Sequence, residues 1–229
     1  VLFERRAKMK FTFYGHACFL LDTEKEKLLF DPFLSGNDLA AIKANQVESD
    51  YILLSHAHAD HLGDAPQIAE RTGAKVIAIP EIIGQFPETV TNFQPMNLGG
   101  IYKAPFGSLK MVTAMHSSGV PGGIAAGFII KFNEGITVYY SGDTALFGDM
   151  KLFGELFDID YAVLPIGDNY TMGPEDAVKA ARFLKAKTII PVHYNTWPVI
   201  SQNPDGLKKL AAEYNISVKV VNPGESVDL

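Results

Sequence analysis

The reading of this chain turns on Tyr51-Ile52-Leu53-Leu54-Ser55-His56-Ala57-His58-Ala59-Asp60-His61. Tyr51 to Ser55 is a continuous, largely apolar run, the pattern of a strand covered on both faces. Three histidines and an aspartate then crowd into residues 56–61. On an extended chain His56 and His58 point the same way, while Asp60 and His61 can turn towards a second position. Imidazole nitrogen and carboxylate oxygen suit zinc, iron or manganese. A solvated polar loop or a hydrogen-bonded turn is the blander reading. Core filler does not gather four such groups at the carboxyl end of an apolar strand.

Downstream, residues 64–71 suit a helix ended by Gly73, and residues 75–79 a second buried strand stopped by Pro80. Strand, cluster, helix, strand is a βαβ unit, whose crossover is expected to be right-handed. Upstream, residues 10–20 read as a strand interrupted at Gly15-His16, and residues 27–30 as another, ended by Asp31-Pro32. The polar stretch 22–27 fits the hairpin turn between them. Residues 39–45 suit one helical turn, and residues 89–98 carry no clear pattern. Strands are expected over 109–114, 126–132 and 137–140, with Asn133-Glu134-Gly135 as a hairpin turn. The last third repeats the α/β theme: strands at 161–165, 188–192 and 217–221, helices at 174–184 and 205–214. Pro174 followed by Glu175 and Asp176 is a good helix start. Without a linker, residues 1–229 are expected to form one domain built from two α/β halves. A four-layer αββα sandwich fits this order, and so does one mixed sheet with helices on both sides.

Composition narrows the function. The chain has 229 residues, 47% hydrophobic and 20% charged, with a formal charge of −6. That sign disfavours nucleic acid as an obligatory partner. The concentrated basic residues Arg5, Arg6, Lys8 and Lys10 are too few to carry binding. The single cysteine, Cys18, makes no intrachain disulfide and suits buried packing. The apolar runs stop far short of the ≈20 residues of a membrane-spanning helix, and residues 1–10 lack the order of a signal peptide. A cytoplasmic enzyme is the expectation, with no membrane partner.

Three further residues repeat the placement of the cluster. His116 follows the run ending at Ala114, Asp143 follows the strand 137–140, and His193 follows 188–192. Each ends an expected strand, where loops converge at one rim. A lone strand-end histidine is more often a hydrogen-bonded surface residue; beside the cluster, the same residue becomes a candidate ligand.

With these residues in place the sequence resembles the metallo-β-lactamase superfamily, whose central His-x-His-x-Asp-His motif matches His56 to His61. It is most similar to the UPF0173-type metal-dependent hydrolases, a branch related to ascorbate-phosphate lactonases. Gly15-His16-Ala17, Phe30-Asp31-Pro32, Ser141-Gly142-Asp143-Thr144 and Pro191-Val192-His193-Tyr194-Asn195 match that branch in order and spacing. The resemblance favours the four-layer sandwich over the single sheet. It implies two divalent ions per chain, zinc first with manganese or iron(II) as alternatives. His56, His58 and His116 would hold one ion, Asp60, His61 and His193 the other, and Asp143 would bridge. It also implies a metal-bound hydroxide that attacks a carbonyl or phosphoryl group, with a small lactone or ester as the first substrate. A metal-dependent phosphodiesterase is the runner-up, and a non-catalytic metal-binding structural or regulatory protein the rival from another class. The oxidoreductase branch carries glutamate at the position of His58, which disfavours that chemistry here.

Asp60 could orient the nucleophile besides ligating, and His16 could donate a proton, touch substrate or simply support the site. Asp31 could hold a ligand imidazole through its second nitrogen. Ser117 and Gly119, in the small-residue run after His116, and Asn195, Thr196 and Trp197, after His193, are the candidate substrate contacts. Asp168 and Asn169 face the same choice. A phosphodiesterase needs an additional Lys or Arg near the ions; Lys103 and Lys110 are candidates that nothing in the sequence places. Phe147, Phe153 and Phe157 could mark a homo-oligomer contact or pack within the chain.

Overall fold

Gly15 and His16 both take positive φ, +118° and 57°, and this folds the first strand back on itself. The expected single strand over residues 10–20 is therefore a hairpin of β1 (Lys10–Gly15) and β2 (Cys18–Asp22), with Phe13 opposite Phe19. The computed structural model describes residues 9–229. Arg5, Arg6 and Lys8, and nearly all of the stretch tested for a signal peptide, lie outside the described residues.

The antiparallel run continues to β3 (Lys27–Phe30), after which β4 (Tyr51–Leu53), β5 (Lys75–Ala78) and β6 (Phe93–Pro95) add in parallel. A second sheet starts antiparallel with β7 (Ile101–Ala104), β8 (Gly107–Thr113), β9 (Ala126–Phe132) and β10 (Thr137–Tyr140). It then turns parallel with β11 (Tyr161–Pro165), β12 (Thr188–Val192) and β13 (Ser217–Val218). The last strand, β14 (Ser226–Asp228), returns to pair with β1. Among the described residues each sheet thus has seven strands, in the orders β14-β1-β2-β3-β4-β5-β6 and β13-β12-β11-β10-β9-β8-β7.

Strand alternation sends neighbouring side chains to opposite faces. On the second sheet Phe128, Ile130, Tyr140, Val163 and Ile190 join the core of the first sheet. Ile129, Tyr139, Leu164 and Ile189 instead meet the helices α4 (Met150–Leu156), α5 (Pro174–Leu184) and α6 (Pro204–Ala212). Against the first sheet lies α2 (Ala65–Thr72), burying Ala65, Ile68 and Ala69. The result is the expected αββα sandwich. At its centre Phe19 and Phe30 stack with centroids 4.3 Å apart, and Tyr140 meets both edge-on at 5.0 and 5.5 Å.

Several local expectations change. Residues 39–45 are not a helical turn; a 3-10 turn occupies Ala44–Gln46 instead. The unreadable stretch 89–98 contains edge strand β6, and the strand expected over 217–221 is only two residues long. The short helices α1 (Ala59–Leu62) and α3 (Pro80–Ile83), and α4, carried too few periodic positions to be seen. In α4 Phe153 is buried, and Phe147 and Phe157 pack against the same cluster. The aromatic trio therefore packs within the chain, which removes the observation that suggested an oligomer contact. No helix among the described residues is long and apolar enough to cross a membrane.

Candidate metal centre

β4 ends at Leu53, and Leu54 N still donates to Ile77 O of β5 at 3.1 Å. The chain bends at Ser55 and is extended at His58 (φ −62°, ψ 149°) before α1 turns it. Extension places His56 and His58 together, with His56 Nε2 and His58 Nδ1 2.9 Å apart. The turn carries Asp60 and His61 elsewhere: His61 N donates to His58 O at 3.0 Å, and both side chains swing towards His16 and His193. The loop is pinned from outside by Asp64, whose Oδ2 accepts from Leu34 N and Ser35 N at 2.9 and 2.7 Å.

The second sheet contributes one residue per strand end. His116 follows β8, Asp143 follows β10 and His193 follows β12. Backbone bonds between the sheets bring these ends to the cluster: Ala57 N to Ser118 O (2.7 Å), Ala126 N to Ser55 O (2.9 Å) and His193 N to His16 O (2.7 Å). Gly142 (φ +58°) permits this approach, because a Cβ there would stand 2.6 Å from Ser55 Cβ. Three groups of potential metal-holding atoms result among the described residues: His56 with His58 and His116, His16 with Asp60, His61 and His193, and a fully buried one, Asp31 with His56 and His61, behind the first two. Asp143 Oδ2 lies between the first two, 3.0 Å from His193 Nε2, 3.3 Å from His61 Nε2 and 3.7 Å from His116 Nε2.

Behind the groups sits Asp31, fully buried. Its Oδ1 accepts from Ser55 N at 2.8 Å. Its Oδ2 accepts from the Ser55 hydroxyl at 2.5 Å, the Tyr140 hydroxyl at 2.6 Å and His61 Nδ1 at 2.8 Å. Because Ser55 gives its one hydroxyl proton to Asp31, its oxygen accepts from His56 Nδ1, 2.9 Å away. Both imidazoles therefore carry their outer proton on Nδ1 and direct Nε2 into the centre. Asp31 thus makes the imidazole contact that the supporting role would need, and through Ser55 it reaches His56 as well as His61. Tyr140 and Ser55 were not foreseen; inside apolar runs, nothing distinguishes their hydroxyls from ordinary strand chemistry.

The electrostatics are those of a cation site. Burial opposes charge on His61 and His193, yet Asp143 and its fellow carboxylates prevail: His61 is raised well above the usual range and His193 to about 9. Burial would raise the Asp60 and Asp143 carboxyls, but the surrounding imidazoles lower both. His56 is pushed well down, first by burial and then by His61. The buried nitrogens His61 Nε2 and His193 Nε2 have no hydrogen-bond partner of acceptable geometry, despite the nearby Asp143 oxygen. Two donors on one tetrahedral zinc, each about 2.0–2.1 Å from it, stand about 3.4 Å apart. The 3.0 and 3.3 Å separations around Asp143 fit that spacing.

A cleft of about 620 Å³ opens onto His58, Asp60, His116, Asp143 and His193. Of the expected substrate contacts, Ser117 and Trp197 line it. Asn195 and Thr196 do not; they border a neighbouring depression. Asn195 Oδ1 accepts from Gln202 N at 2.8 Å, and Thr196 Oγ1 is 2.8 Å from His16 Nδ1. Gly119 is a packing position, since a Cβ there would come within 2.7 Å of Ala57 C and His58 N. His16 is fully buried behind Asp60, with Nε2 3.1 Å from Asp60 Oδ2, so it does not reach the cleft as a substrate contact. Burial and the neighbouring His193 and His61 outweigh Asp60 and lower its pKa to about 4. Asp168 (φ 60°) and Asn169 (φ 54°) shape the turn that presents Tyr170 to the cleft. Lys103 stands on edge strand β7 and Lys110 reaches Gly99 O at 3.0 Å; neither lines the cleft. Phe33, Tyr170 and Val199 were missed, because loop residues outside a ligand motif carry no sequence signal of their direction.

Residues 10–193 match the family model described as "Beta-lactamase superfamily domain". A UPF0173 metal-dependent hydrolase of Natranaerobius thermophilus is 44% identical over 222 residues, covering 96% of this chain and 100% of that protein. The UPF0173 metal-dependent hydrolase YtkL of Bacillus subtilis is 44% identical over 230 residues, with the same coverage. Among solved structures, Igni18, a metallo hydrolase from Ignicoccus hospitalis, superposes with a TM-score of 0.89 at 35% identity, over 97% of this chain and 98% of that one.

Proposed function

The chain belongs to the metallo-β-lactamase superfamily and, within it, to the UPF0173 metal-dependent hydrolases, and from that premise we propose that it hydrolyses a small lactone or related carboxylic ester. Metal dependence and hydrolytic class follow from the kinship together with two side-chain clusters able to hold ions. In the proposed assignment His56, His58 and His116 hold one ion, Asp60, His61 and His193 the other, and Asp143 bridges. The observation carrying it is a single oxygen, Asp143 Oδ2, within 3.7 Å of ring nitrogens from both groups. Zinc is the proposed resident, on a set of imidazoles and carboxylates, and the cytoplasm the proposed setting, for a chain whose one cysteine is buried and unpaired.

When bound, a pair of divalent ions supplies an ionisable water near neutral pH and an electrophile for the scissile carbonyl. The protein's own groups do the rest. Asp31 and Ser55 keep the His61 and His56 rings in one tautomer and one orientation. His16, neutral at pH 7, donates Nε2–H to Asp60 and accepts from the Thr196 hydroxyl at Nδ1. Asp60 is thereby held while its side chain remains one-quarter exposed, placed to orient or accept a proton in the cleft. His16 on this reading is a positioning residue.

Elemental analysis of protein purified without chelator, and again after equilibration with zinc, tests the assignment. Close to two ions per chain is expected, together with hydrolysis of a simple lactone. One ion would remove the bridging role of Asp143, and none in folded protein would overturn the proposal.

A further inference from the structure

The residues surrounding the metal-binding groups differ sharply from them in chemistry. Three loops at the carboxyl ends of β3, β11 and β12 bring Phe33, Tyr170, Trp197 and Val199 to the cleft. No Lys or Arg lines it among the described residues. Phe33 and Trp197 have a structural duty, flanking His16 at centroid distances of 5.7 and 4.9 Å. Tyr170 and Val199 have none of comparable weight. They are 57% and 53% exposed, and Tyr170 enters no ring contact among the described residues. Two apolar side chains left in water beside the reactive groups, Tyr170 on a turn held by positive-φ Asp168 and Asn169 and Val199 in the 3-10 turn Pro198–Ile200, call for an occupant.

We propose that the substrate is a neutral carbonyl compound with an apolar body of several carbons, seated against Tyr170, Trp197 and Val199 while its carbonyl faces Asp143 and the histidines. The inference rests on the hydrolase reading above and narrows its substrate. A phosphodiester or phosphorylated lactone would place anionic oxygens beyond the ions against two aromatic rings and a valine, with no guanidinium or ammonium to receive them. An alkyl or aryl body gains by leaving water there. The reaction remains a hydrolysis: water adds to the carbonyl, the acyl–oxygen bond breaks, and the leaving oxygen takes a proton.

The test compares p-nitrophenyl acetate, p-nitrophenyl hexanoate and bis(p-nitrophenyl) phosphate on zinc-equilibrated protein. A rise in kcat/KM of about tenfold or more from acetate to hexanoate is expected, since each buried methylene is worth about 0.8 kcal/mol. The diester should be the poorest of the three. In the double variant Tyr170→Ala, Val199→Ser the hexanoate-to-acetate ratio should fall towards one. A flat dependence on chain length in the wild-type protein, or preference for the diester, overturns the inference while leaving metal-dependent hydrolysis intact. Absence of all turnover would strike the hydrolase reading instead, so a binding measurement keeps the two apart. Trp197 is the one tryptophan in the chain, and it lines this cleft as well as the neighbouring depression, so its emission is read in the wild-type protein and in the Tyr170→Ala, Val199→Ser variant, which alters the cleft only. Hexanamide should shift its emission saturably, whereas acetamide and dimethyl phosphate at equal concentration should not. Any outcome in which hexanamide is not preferred sinks the proposal.

Discussion

The two sheets furnish the centre in opposite ways. The first supplies His56, His58, Asp60 and His61 from one short run beyond a single strand. The second supplies His116, Asp143 and His193 one at a time, from three strands spread over about a third of the chain. The first set is shaped locally, by an extended stretch followed by one helical turn. The second exists as a set only once β8, β10 and β12 lie side by side and the sheets have met. A run can be moved or copied as a unit; a set of strand ends is a property of the whole sandwich.

Asp143→Ala is the most severe way to break the comparison. It removes from the dispersed set an oxygen close to ring nitrogens of both groups, and kcat/KM for an ester should fall about a thousandfold or more, the scale of losing several kcal/mol of ion-assisted stabilisation. Elemental analysis should show fewer than two ions per chain. If both ions stayed and activity survived, the second sheet would matter less than its geometry implies. Asp31→Asn attacks the support of the run. Loss of a carboxylate behind a ligand imidazole typically weakens metal binding 10–100-fold, and competition with a chromophoric chelator would measure it. Tyr140→Phe should act more gently, because Ser55 and His61 still satisfy Asp31. A loss of about 1 kcal/mol in denaturant unfolding is expected, with a few-fold change in metal affinity.

The smallest effect sharpens the comparison through pH. In the metal-free protein His193, raised to about 9, and His61, raised well above its usual range, both carry protons at pH 7. An ion must displace them, so zinc binding should release protons and strengthen as pH rises towards 9. Calorimetry in buffers of different ionisation enthalpy would read this release; buffer-independent heats at pH 7 would contradict it.

The same contrast explains what was legible beforehand. His56 to His61 pointed to a metal because its candidate ligands are neighbours in sequence as well as in space. His116, Asp143 and His193 were legible only as strand ends, and only beside that run. Asp31 stood out in its Asp-Pro setting. Tyr140 did not, because it sits in Thr137–Tyr140, where every position is buried and sequence alone does not tell which face meets the other sheet. The turn at Gly15-His16 reads in sequence as an interruption, because one glycine signals a break in a strand but not that the next residue also takes positive φ and reverses the chain. The substrate contacts were the least legible. Thr196 and Asn195 follow His193 closely but bond to His16 and Gln202, whereas Tyr170 belongs to no ligand motif and is brought to the cleft by the turn at Asp168 and Asn169.

The hydrogen bond from Tyr140 to Asp31 spans 109 positions of sequence. Contacts of that separation pay a large loop-closure cost and come late in folding. A growing chain would expose its histidine-rich run well before the phenol that braces it, or the strand ends that complete it, had been made. Both proposed ion sites draw on both sheets, His116 completing one and His193 the other, so tight ion capture is expected only of a molecule whose two sheets have already joined.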